Sequence, residues 1–234
     1  MRANTEITES AEGVEKEKAS RVRMTAKRND LAAAGYVMSG GASTRFGFDK
    51  ARAELSGQPM LKRMCTLLRG AVGSASVVAP IGRYSEFGER IVEDHWPGEG
   101  PLGGIITALM DAHEQLQEHT WCLIVGCDMP FLTCEWLTYM KDRALASGAA
   151  VIAPQSANGL EPLCACWHTS ATGKLQHAFE DGIRKVTEAM KRVSMEVIDE
   201  KDWGPLDESG RLFWNMNTPA EYEEARRILE SEGR

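Results

Sequence analysis

The stretch YVMSGGASTRFGFDK, Tyr36 to Lys50, joins an apolar run to a loop rich in glycine, hydroxyl and charged residues. The apolar run predicts a strand, and the paired Gly40 and Gly41 allow the backbone to turn sharply and approach a ligand closely. Backbone N–H groups at such a turn bind anions, and Arg45 and Lys50 add positive charge. The spacing matches neither the P-loop nor the dinucleotide fingerprint. The loop therefore predicts another kind of phosphate site, with a structural turn carrying exposed charges as the alternative.

Apolar runs and helical patterns alternate along the rest of the chain. WCLIVG, Trp121 to Gly126, and AAVIA, Ala149 to Ala153, are continuously apolar, which is typical of strands buried on both faces of a parallel sheet. Helical periodicity runs from Ile105 to Leu116, and Pro219 opens a last amphipathic helix with Thr218 as its N-cap. The alternation predicts an α/β fold with a mostly parallel sheet covered by helices on both faces.

The bulk composition limits the possible partners. The 234 residues suit one domain, and the charged, apolar-poor segment 1–31 predicts a disordered tail before a single domain over residues 32–234. A net charge of −7 argues against nucleic acid as a partner, although a local anion pocket remains compatible with it. No apolar run reaches the ~20 residues of a membrane helix. The first residues lack the apolar core of a signal peptide, so a cytoplasmic location without a membrane is expected.

The six cysteines are expected to be reduced thiols. Cys164 and Cys166 share one face if their segment is a strand. A zinc site would need a second such pair or suitably spaced histidines, and neither is evident. Free thiols buried in the core are the favoured interpretation.

Two acidic residues follow strand-like runs. Asp128, in CDMPF after WCLIVG, would lie at the carboxyl end of a strand, where open parallel sheets bind ligands. One carboxylate together with phosphate oxygens and water suits Mg²⁺, and a capping role is the alternative. Asp94 precedes the glycine-rich run WPGEGPLGG, which either brings backbone to a ligand before a helix begins or forms a flexible loop.

A pair of asparagines precedes the last helix. Asn215 and Asn217, in NMNTP, share a face if that segment is extended. They would hydrogen-bond either a polar ligand or the backbone ahead of the helix.

In their order, these motifs resemble the molybdenum cofactor guanylyltransferase family. The resemblance covers nearly the whole chain after about Gly35. It rests on Met38-Ser39-Gly40-Gly41, Arg45-Phe46-Gly47 with Asp49-Lys50, Asp94 with Gly100-Pro101-Leu102-Gly103-Gly104, Cys127-Asp128-Met129-Pro130, Gly159-Leu160-Glu161-Pro162 and Asn215-Met216-Asn217-Thr218-Pro219. Met38 and Ser39 replace the Leu and Ala of the family. Ala79 and Pro80 stand where many members carry an Asn near the nucleotide, so that contact is not expected here.

The resemblance implies a three-layer α/β/α sandwich, a Rossmann-like nucleotidyltransferase fold with a mostly parallel mixed sheet. It implies that Met38, Ser39, Gly40 and Gly41 hold GTP through their backbone. Lys50 and Arg45 would act on its phosphates, and Asp128 would bind Mg²⁺ as the third catalytic residue. The remaining expected contacts to GTP or molybdopterin are Asp94, Gly100, Pro101, Leu102, Asn215 and Asn217, with the two asparagines on the molybdopterin side.

The implied reaction is transfer of GMP from GTP to the terminal phosphate of molybdenum-molybdopterin, which yields the guanine dinucleotide cofactor and pyrophosphate. Molybdoenzymes or their chaperones would be downstream partners. Three alternatives stay open: a molybdenum cofactor cytidylyltransferase using CTP, a sugar-phosphate nucleotidyltransferase, and a degenerate nucleotide-binding partner of a molybdoenzyme. The glycines at 40–41 and 100–104 favour GTP, and the retained Lys50 and Asp128 favour an enzyme.

Overall fold

The computed structural model of the protein describes residues 33–40, 49–116 and 120–232. The predicted disordered tail over residues 1–31 lies outside these ranges, as do Gly41 and Arg45. The single domain over residues 32–234 stays a prediction.

Ten strands and seven α-helices are found in the described part of the chain. The strands are β1 (Ala33–Met38), β2 (Glu54–Leu55), β3 (Gln58–Pro59), β4 (Ser76–Ala79), β5 (Arg90–Glu93), β6 (Trp121–Gly126), β7 (Val151–Ser156), β8 (Gly159–Leu160), β9 (Cys164–His168) and β10 (Met195–Ile198). The helices are α1 (Met60–Val72), α2 (Pro101–Leu116), α3 (Cys134–Ala146), α4 (Thr172–Glu180), α5 (Val186–Ala189), α6 (Glu200–Trp203) and α7 (Pro219–Glu232).

A mostly parallel sheet forms the centre of the fold, in the order β10-β7-β9-β6-β1-β4-β5, with β8 paired to β7. The pairs β1–β4, β1–β6, β4–β5 and β7–β10 are parallel. Strand β9 runs antiparallel to both β6 and β7. The carboxyl ends of β1, β4, β5 and β6 therefore lie at one edge of the sheet, and the first residues of β9 reach the same edge.

Both faces of the sheet are covered, which confirms the three-layer arrangement. Neighbouring residues on one strand belong to different core clusters: Val37 packs with Leu61 on one side, and Tyr36 packs with Leu102 on the other. A strand buried on both faces has no polar side to alternate with. This is why the strand sequences read as continuous apolar runs.

Several predicted boundaries shift. Helix α2 begins at Pro101 rather than Ile105, so the Gly-Pro-Leu-Gly-Gly run supplies its first turn and is not a loop.

The hairpin β2–β3 was not predicted. Its two-residue turn, Ser56 and Gly57, has positive φ at both positions (51° and 72°), as tight hairpin turns require, and strands of two residues leave no periodic signal.

The cysteines are free thiols, and five are buried while Cys134 is exposed. Cys164 and Cys166 face the same core cluster, as their spacing predicts, and the Trp136 indole donates to the Cys164 sulfur at 3.3 Å. Burial raises the pKa of the Cys65 and Cys164 thiols to about 12, so both are protonated at neutral pH. In the described part of the chain, none of the helices has the length and apolar character needed to span a bilayer.

Candidate active site

A cavity of about 480 Å³ lies at the edge where the parallel strands end. Most of its lining lies at the carboxyl ends of β1, β4 and β6 or in the segments that follow β1, β4, β5 and β6, and Leu163 precedes β9. Eight of the predicted site residues line it: Met38, Ser39, Gly40, Lys50, Asp94, Gly100, Pro101 and Asp128. The sheet topology thus brings motifs from distant parts of the sequence to one site.

The end of β1 passes close to Asp94. The Ser39 N–H donates to the carbonyl of Val78 at 3.1 Å, which continues the pairing with β4 for one more residue. A Cβ placed on Gly40 would lie 3.7 Å from Oδ2 of Asp94. The glycine therefore leaves backbone open to the cavity beside a carboxylate.

Lys50 begins a short 3₁₀ turn, Lys50–Arg52, that Asp49 caps by accepting from the Ala51 N–H at 3.1 Å. Its Nζ donates to Oδ1 of Asn217 at 2.8 Å and lies 3.6 Å from Oδ2 of Asp128. The ammonium group is thereby held beside the carboxyl end of β6, where phosphate was expected.

Asp128 lies two residues beyond β6, folded back over Gly126. A Cβ on Gly126 would be only 2.7 Å from Oδ1 of Asp128, so glycine is what permits this position. Burial raises the pKa of Asp128, and the positive charge of Lys50 opposes that rise. The Asp128 carbonyl accepts from the Met216 N–H at 2.7 Å, which joins the CDMPF and NMNTP motifs.

Asp94 is buried after β5 and organises the turn into α2. Its Oδ1 accepts from the Trp96 N–H at 3.0 Å and lies 3.5 Å from the hydroxyl of Thr107. That hydroxyl donates to the Gly103 carbonyl at 3.0 Å. Asp94 is thus fixed against the first two turns of α2, with the carboxylate at the cavity wall.

Gly98, Gly100 and Pro101, at and just before the start of α2, form part of the same wall. Gly98 and Gly100 have φ of 87° and 94°, values that favour glycine, and both line the cavity. Leu102, by contrast, is fully buried in the core under the helix and does not line the cavity. A Cβ on Gly104 would lie 2.2 Å from Cε of Met38, so this glycine lets the helix pack against β1.

The two asparagines differ in position. Asn217 is exposed and holds Lys50, whereas the Asn215 amide donates to the carbonyl of Phe213 at 3.2 Å. Neither lines the cavity. A capping box follows them: the Glu221 N–H donates to the Thr218 hydroxyl at 3.3 Å, and a Glu221 oxygen accepts from the Thr218 N–H at 2.8 Å. Thr218 is therefore the N-cap, as predicted.

Sequence reasoning missed Asp49, Arg83 and Tyr84 as parts of this site. All three line the cavity, and the Tyr84 hydroxyl lies 3.1 Å from both carboxylate oxygens of Asp49. The acidic residue next to Lys50 was a visible signal. The positions after β4 were considered only for the asparagine that this chain lacks.

Within the described ranges, no three His, Cys, Asp or Glu side chains cluster as a ready-made metal site. Mg²⁺ does not require such a cluster, because it is usually held by one or two carboxylates with substrate phosphates and water. Asp128, a cavity-lining carboxylate next to a phosphate-binding candidate, fits that donor set.

The chain has an α/β fold with a mostly parallel sheet. Its cavity lies at the strand ends and is lined by a lysine, aspartates and the start of a helix. Together these features are those of a Rossmann-like nucleotidyltransferase fold. The chain belongs to the MobA-like NTP transferase domain family, whose sequence pattern matches residues 35–193.

The chain is also similar to individual proteins of known sequence or structure. The chain is 29% identical over 202 residues to a probable molybdenum cofactor guanylyltransferase of Pelotomaculum thermopropionicum, covering 86% of this chain and 95% of that protein. Among solved structures, molybdopterin-guanine dinucleotide biosynthesis protein A of Archaeoglobus fulgidus superimposes with a TM-score of 0.71 at 23% identity, over 85% of this chain and 99% of that one. The 2-C-methyl-D-erythritol 4-phosphate cytidylyltransferase of Thermus thermophilus superimposes with a TM-score of 0.61 at 13% identity, over 85% of this chain and 99% of that one.

Proposed function

We propose that this protein transfers GMP from GTP to the terminal phosphate of molybdenum-bound molybdopterin, forming the molybdopterin guanine dinucleotide cofactor and pyrophosphate. The observation that carries the proposal is the position of the Lys50 ammonium between Asn217 and Asp128 at the cavity. The family and the names of the related proteins support the choice of substrates.

The reaction requires the protein to position the two substrates and to neutralise charge. A phosphate oxygen of molybdopterin attacks the α-phosphorus of GTP, and the bond to the bridging oxygen breaks as pyrophosphate leaves. The attacking oxygen is already anionic, so no side chain needs to remove a proton. Lys50 places one positive charge where negative charge develops, and the Gly40 backbone approaches the phosphates without a side chain in the way.

The nucleotide is proposed to lie along the half of the cavity formed by β1, β4 and β5. There the backbone after β1, the Asp94 carboxylate and the N-terminus of α2 meet. Helix N-termini favour negatively charged groups. Arg45 and Gly41 are proposed to contribute from the same loop, and Leu102, buried in the first turn of α2, by supporting that turn.

Magnesium is proposed as the cofactor, with Asp128 as the protein ligand. When bound, the ion would neutralise charge on the reacting phosphates. Lys50, 3.6 Å from the same carboxylate, opposes the rise in pKa that burial causes. Asn215 and Asn217 are proposed on the molybdopterin side, and delivery to a molybdoenzyme or its chaperone in the cytoplasm would follow.

The test is pyrophosphate release by the full chain supplied with molybdenum-loaded molybdopterin, with GTP and CTP compared at equal concentration. We expect pyrophosphate release with GTP that depends on both Mg²⁺ and molybdopterin. With CTP we expect at least tenfold less release. Preference for CTP would assign the chain to the cytidylyltransferases. Wild-type protein without release under either nucleotide would overturn an enzymatic function.

The metal assignment has its own test. Asp128→Asn keeps the side-chain shape and removes the charge. We expect the Mg²⁺ concentration that gives half-maximal release to rise and kcat to fall about 10²–10³-fold, as for loss of one group that stabilises transition-state charge. Glu196→Gln, on strand β10, is the matched control and should leave both values unchanged. Wild-type turnover and Mg²⁺ dependence in Asp128→Asn would refute the role of this aspartate.

A further inference from the structure

A cluster of four side chains (Asp49, Arg52, Arg83 and Tyr84, called here the Asp49 cluster) lies beside Lys50. The Asp49 carboxylate accepts from Arg52 Nη1 at 2.7 Å, from the Arg83 guanidinium, and from the Tyr84 hydroxyl. It also accepts from the Ala51 N–H. One carboxylate thus joins the turn that carries Lys50 to the segment that follows β4.

The centre of the cluster is shielded, while its two guanidinium groups reach the surface. The Asp49 side chain is 17% exposed and Tyr84 is buried, whereas the side chains of Arg83 and Arg52 are 39% and 46% exposed. Burial raises the pKa of Tyr84 to about 12, so its hydroxyl keeps the proton that it donates. A hydrogen-bond network around a shielded carboxylate is rigid when every polar group in it is paired.

Both guanidinium groups also pack on the Tyr84 ring. The central carbon of Arg83 lies 4.9 Å from the ring centroid and that of Arg52 lies 5.0 Å from it. A planar guanidinium can stack on a ring and bond a carboxylate at the same time, which a lysine ammonium does less well. The arrangement therefore favours arginine over lysine at position 83.

The two sides of the Lys50 turn have different anchors. Its backbone begins at Asp49, whose carboxylate is fixed by Arg83 and Tyr84. The ammonium group of Lys50 contacts Asn217 and Asp128 instead. Asp49, Arg83 and Tyr84 line the same cavity, so the anchor borders the space where substrate is proposed to bind.

We infer that Asp49, Arg83 and Tyr84 are positioning residues for the Lys50 ammonium. This inference rests on the proposed function for its kinetic readout. The cluster acts through Lys50: it fixes the direction in which that side chain leaves the backbone. Because a displacement of about 1 Å can cost 10²-fold in rate, loss of the anchor should appear in kcat more than in KM.

The experiment uses the full-length protein and four variants: Asp49→Asn, Arg83→Met, Arg83→Lys and Tyr84→Phe. Arg143→Met is the matched control, because Arg143 bonds Glu196 at 2.6 Å in an exposed pair on α3 and β10. Two quantities are measured for each protein. The first is kcat and KM for GTP in the pyrophosphate assay. The second is the rate at which acetic anhydride labels Lys50, followed by peptide mass spectrometry, with the 76%-exposed Lys201 as internal reference.

Asp49→Asn and Arg83→Met should lower kcat about 10- to 100-fold with KM for GTP changed less than about threefold. Their Lys50 labelling should be at least threefold faster relative to Lys201. Arg83→Lys should recover part of the kcat, and Tyr84→Phe, which keeps the ring, should show the smallest loss. Arg143→Met should match wild type in both measurements.

An unchanged Lys50 labelling rate in both Asp49→Asn and Arg83→Met would overturn the inference, as would a KM effect without a kcat effect. The labelling readout does not need turnover. If wild type releases no pyrophosphate but labelling of Lys50 rises in the variants, the proposed function fails while the positioning role stands.

Discussion

Lys50 donates a hydrogen bond of 2.8 Å from Nζ to Oδ1 of Asn217, which joins the turn after the glycine loop to the segment before the last helix. The same nitrogen lies 3.6 Å from Asp128, at the end of the central strand β6. Three motifs that are far apart in the sequence therefore meet at one ammonium group. This explains how Asn217, which lies outside the cavity lining, can still affect the chemistry of the cavity.

Replacing Lys50 by Met should remove most turnover. The change roughly keeps the length of the side chain and deletes the charge that is proposed to face the transferred phosphate. We expect kcat/KM for GTP to fall about 10²–10³-fold, the loss typical of one group that stabilises transition-state charge. Steady-state pyrophosphate release measures the effect.

Asn217→Ala tests whether the asparagine acts through the lysine. It should lower turnover by roughly tenfold in the wild-type background. In the Lys50→Met background it should have little further effect, since coupled residues are not additive. Additive losses in the double variant would mean that Asn217 acts on the substrate independently.

Gly126 and Gly35 offer a contrast between function and stability. A Cβ on Gly126 would meet Oδ1 of Asp128 at 2.7 Å, whereas a Cβ on Gly35 would meet the Ser74 backbone oxygen at 2.5 Å. A carboxylate can rotate away, but backbone cannot. Gly126→Ala should therefore lower kcat about tenfold or more and raise the Mg²⁺ requirement, with little loss of stability.

Gly35→Ala should instead destabilise the fold by about 1–3 kcal/mol, as overpacking in a core does. Urea unfolding of both variants, alongside turnover, separates the two outcomes. If Gly126→Ala is as destabilised as Gly35→Ala, or has wild-type turnover, the conclusion that Gly126 serves to position Asp128 is wrong.

The fold was predictable because its strands carry strong local signals. Runs such as Trp121–Gly126 are buried on both faces, so the pattern that identifies them as strands also indicates the two helical layers. The start of α2 was misjudged for a physical reason. Gly103 and Gly104 are poor helix formers, and they stand in its first turn because a Cβ there would meet Trp96 and Met38.

The site was predictable where a motif identifies the residue and not where only the fold brings residues together. Lys50 and Asp128 carry charge within motifs that come after strand-like runs, so their place at the cavity could be inferred, while their chemical roles stay predictions. Arg83 and Tyr84 reach Asp49 only because β4 pairs with β1, a long-range contact that leaves no periodic trace in the chain. Gly41 and Arg45 stay predictions, because they lie outside the described residues.

Thr218→Ala tests the capping box that follows Asn217. The Thr218 hydroxyl caps α7, and loss of such an N-cap typically costs about 1 kcal/mol. The Glu221 carboxylate also accepts from the Asn217 N–H at 2.7 Å, so Glu221→Gln should loosen the Asn217–Lys50 contact. We expect Thr218→Ala to lower the urea midpoint and Glu221→Gln to lower kcat more than stability. Equal effects of both variants on stability and none on kcat would limit the capping box to a structural role.

Glu161, in the Gly-Leu-Glu-Pro motif, should make stability depend on pH. Burial raises the pKa of this carboxyl, the nearby charge of Asp128 raises it further, and the Ser156 hydroxyl, 2.6 Å from Oε1, opposes the rise. The folded chain therefore keeps the proton at pH values where the unfolded chain has lost it, so stability falls as pH rises from the ordinary value of 4.5 through the raised pKa. Glu161→Gln, which can still accept from Ser156, should raise the unfolding temperature at about pH 7, and by less at about pH 4.

Glu196→Gln is the opposite control. The bonds from Ser147 and then Arg143 lower the pKa of Glu196, so its stabilisation is present above the ordinary pKa and is lost as pH falls through the lowered value. That variant should be less stable than wild type at about pH 7 and approach it in acid. Thermal unfolding of wild type, Glu161→Gln and Glu196→Gln between about pH 4 and about pH 7 tests both predictions. Parallel pH profiles of the unfolding temperature for wild type and Glu161→Gln would show that burial of the Glu161 carboxyl does not govern its protonation.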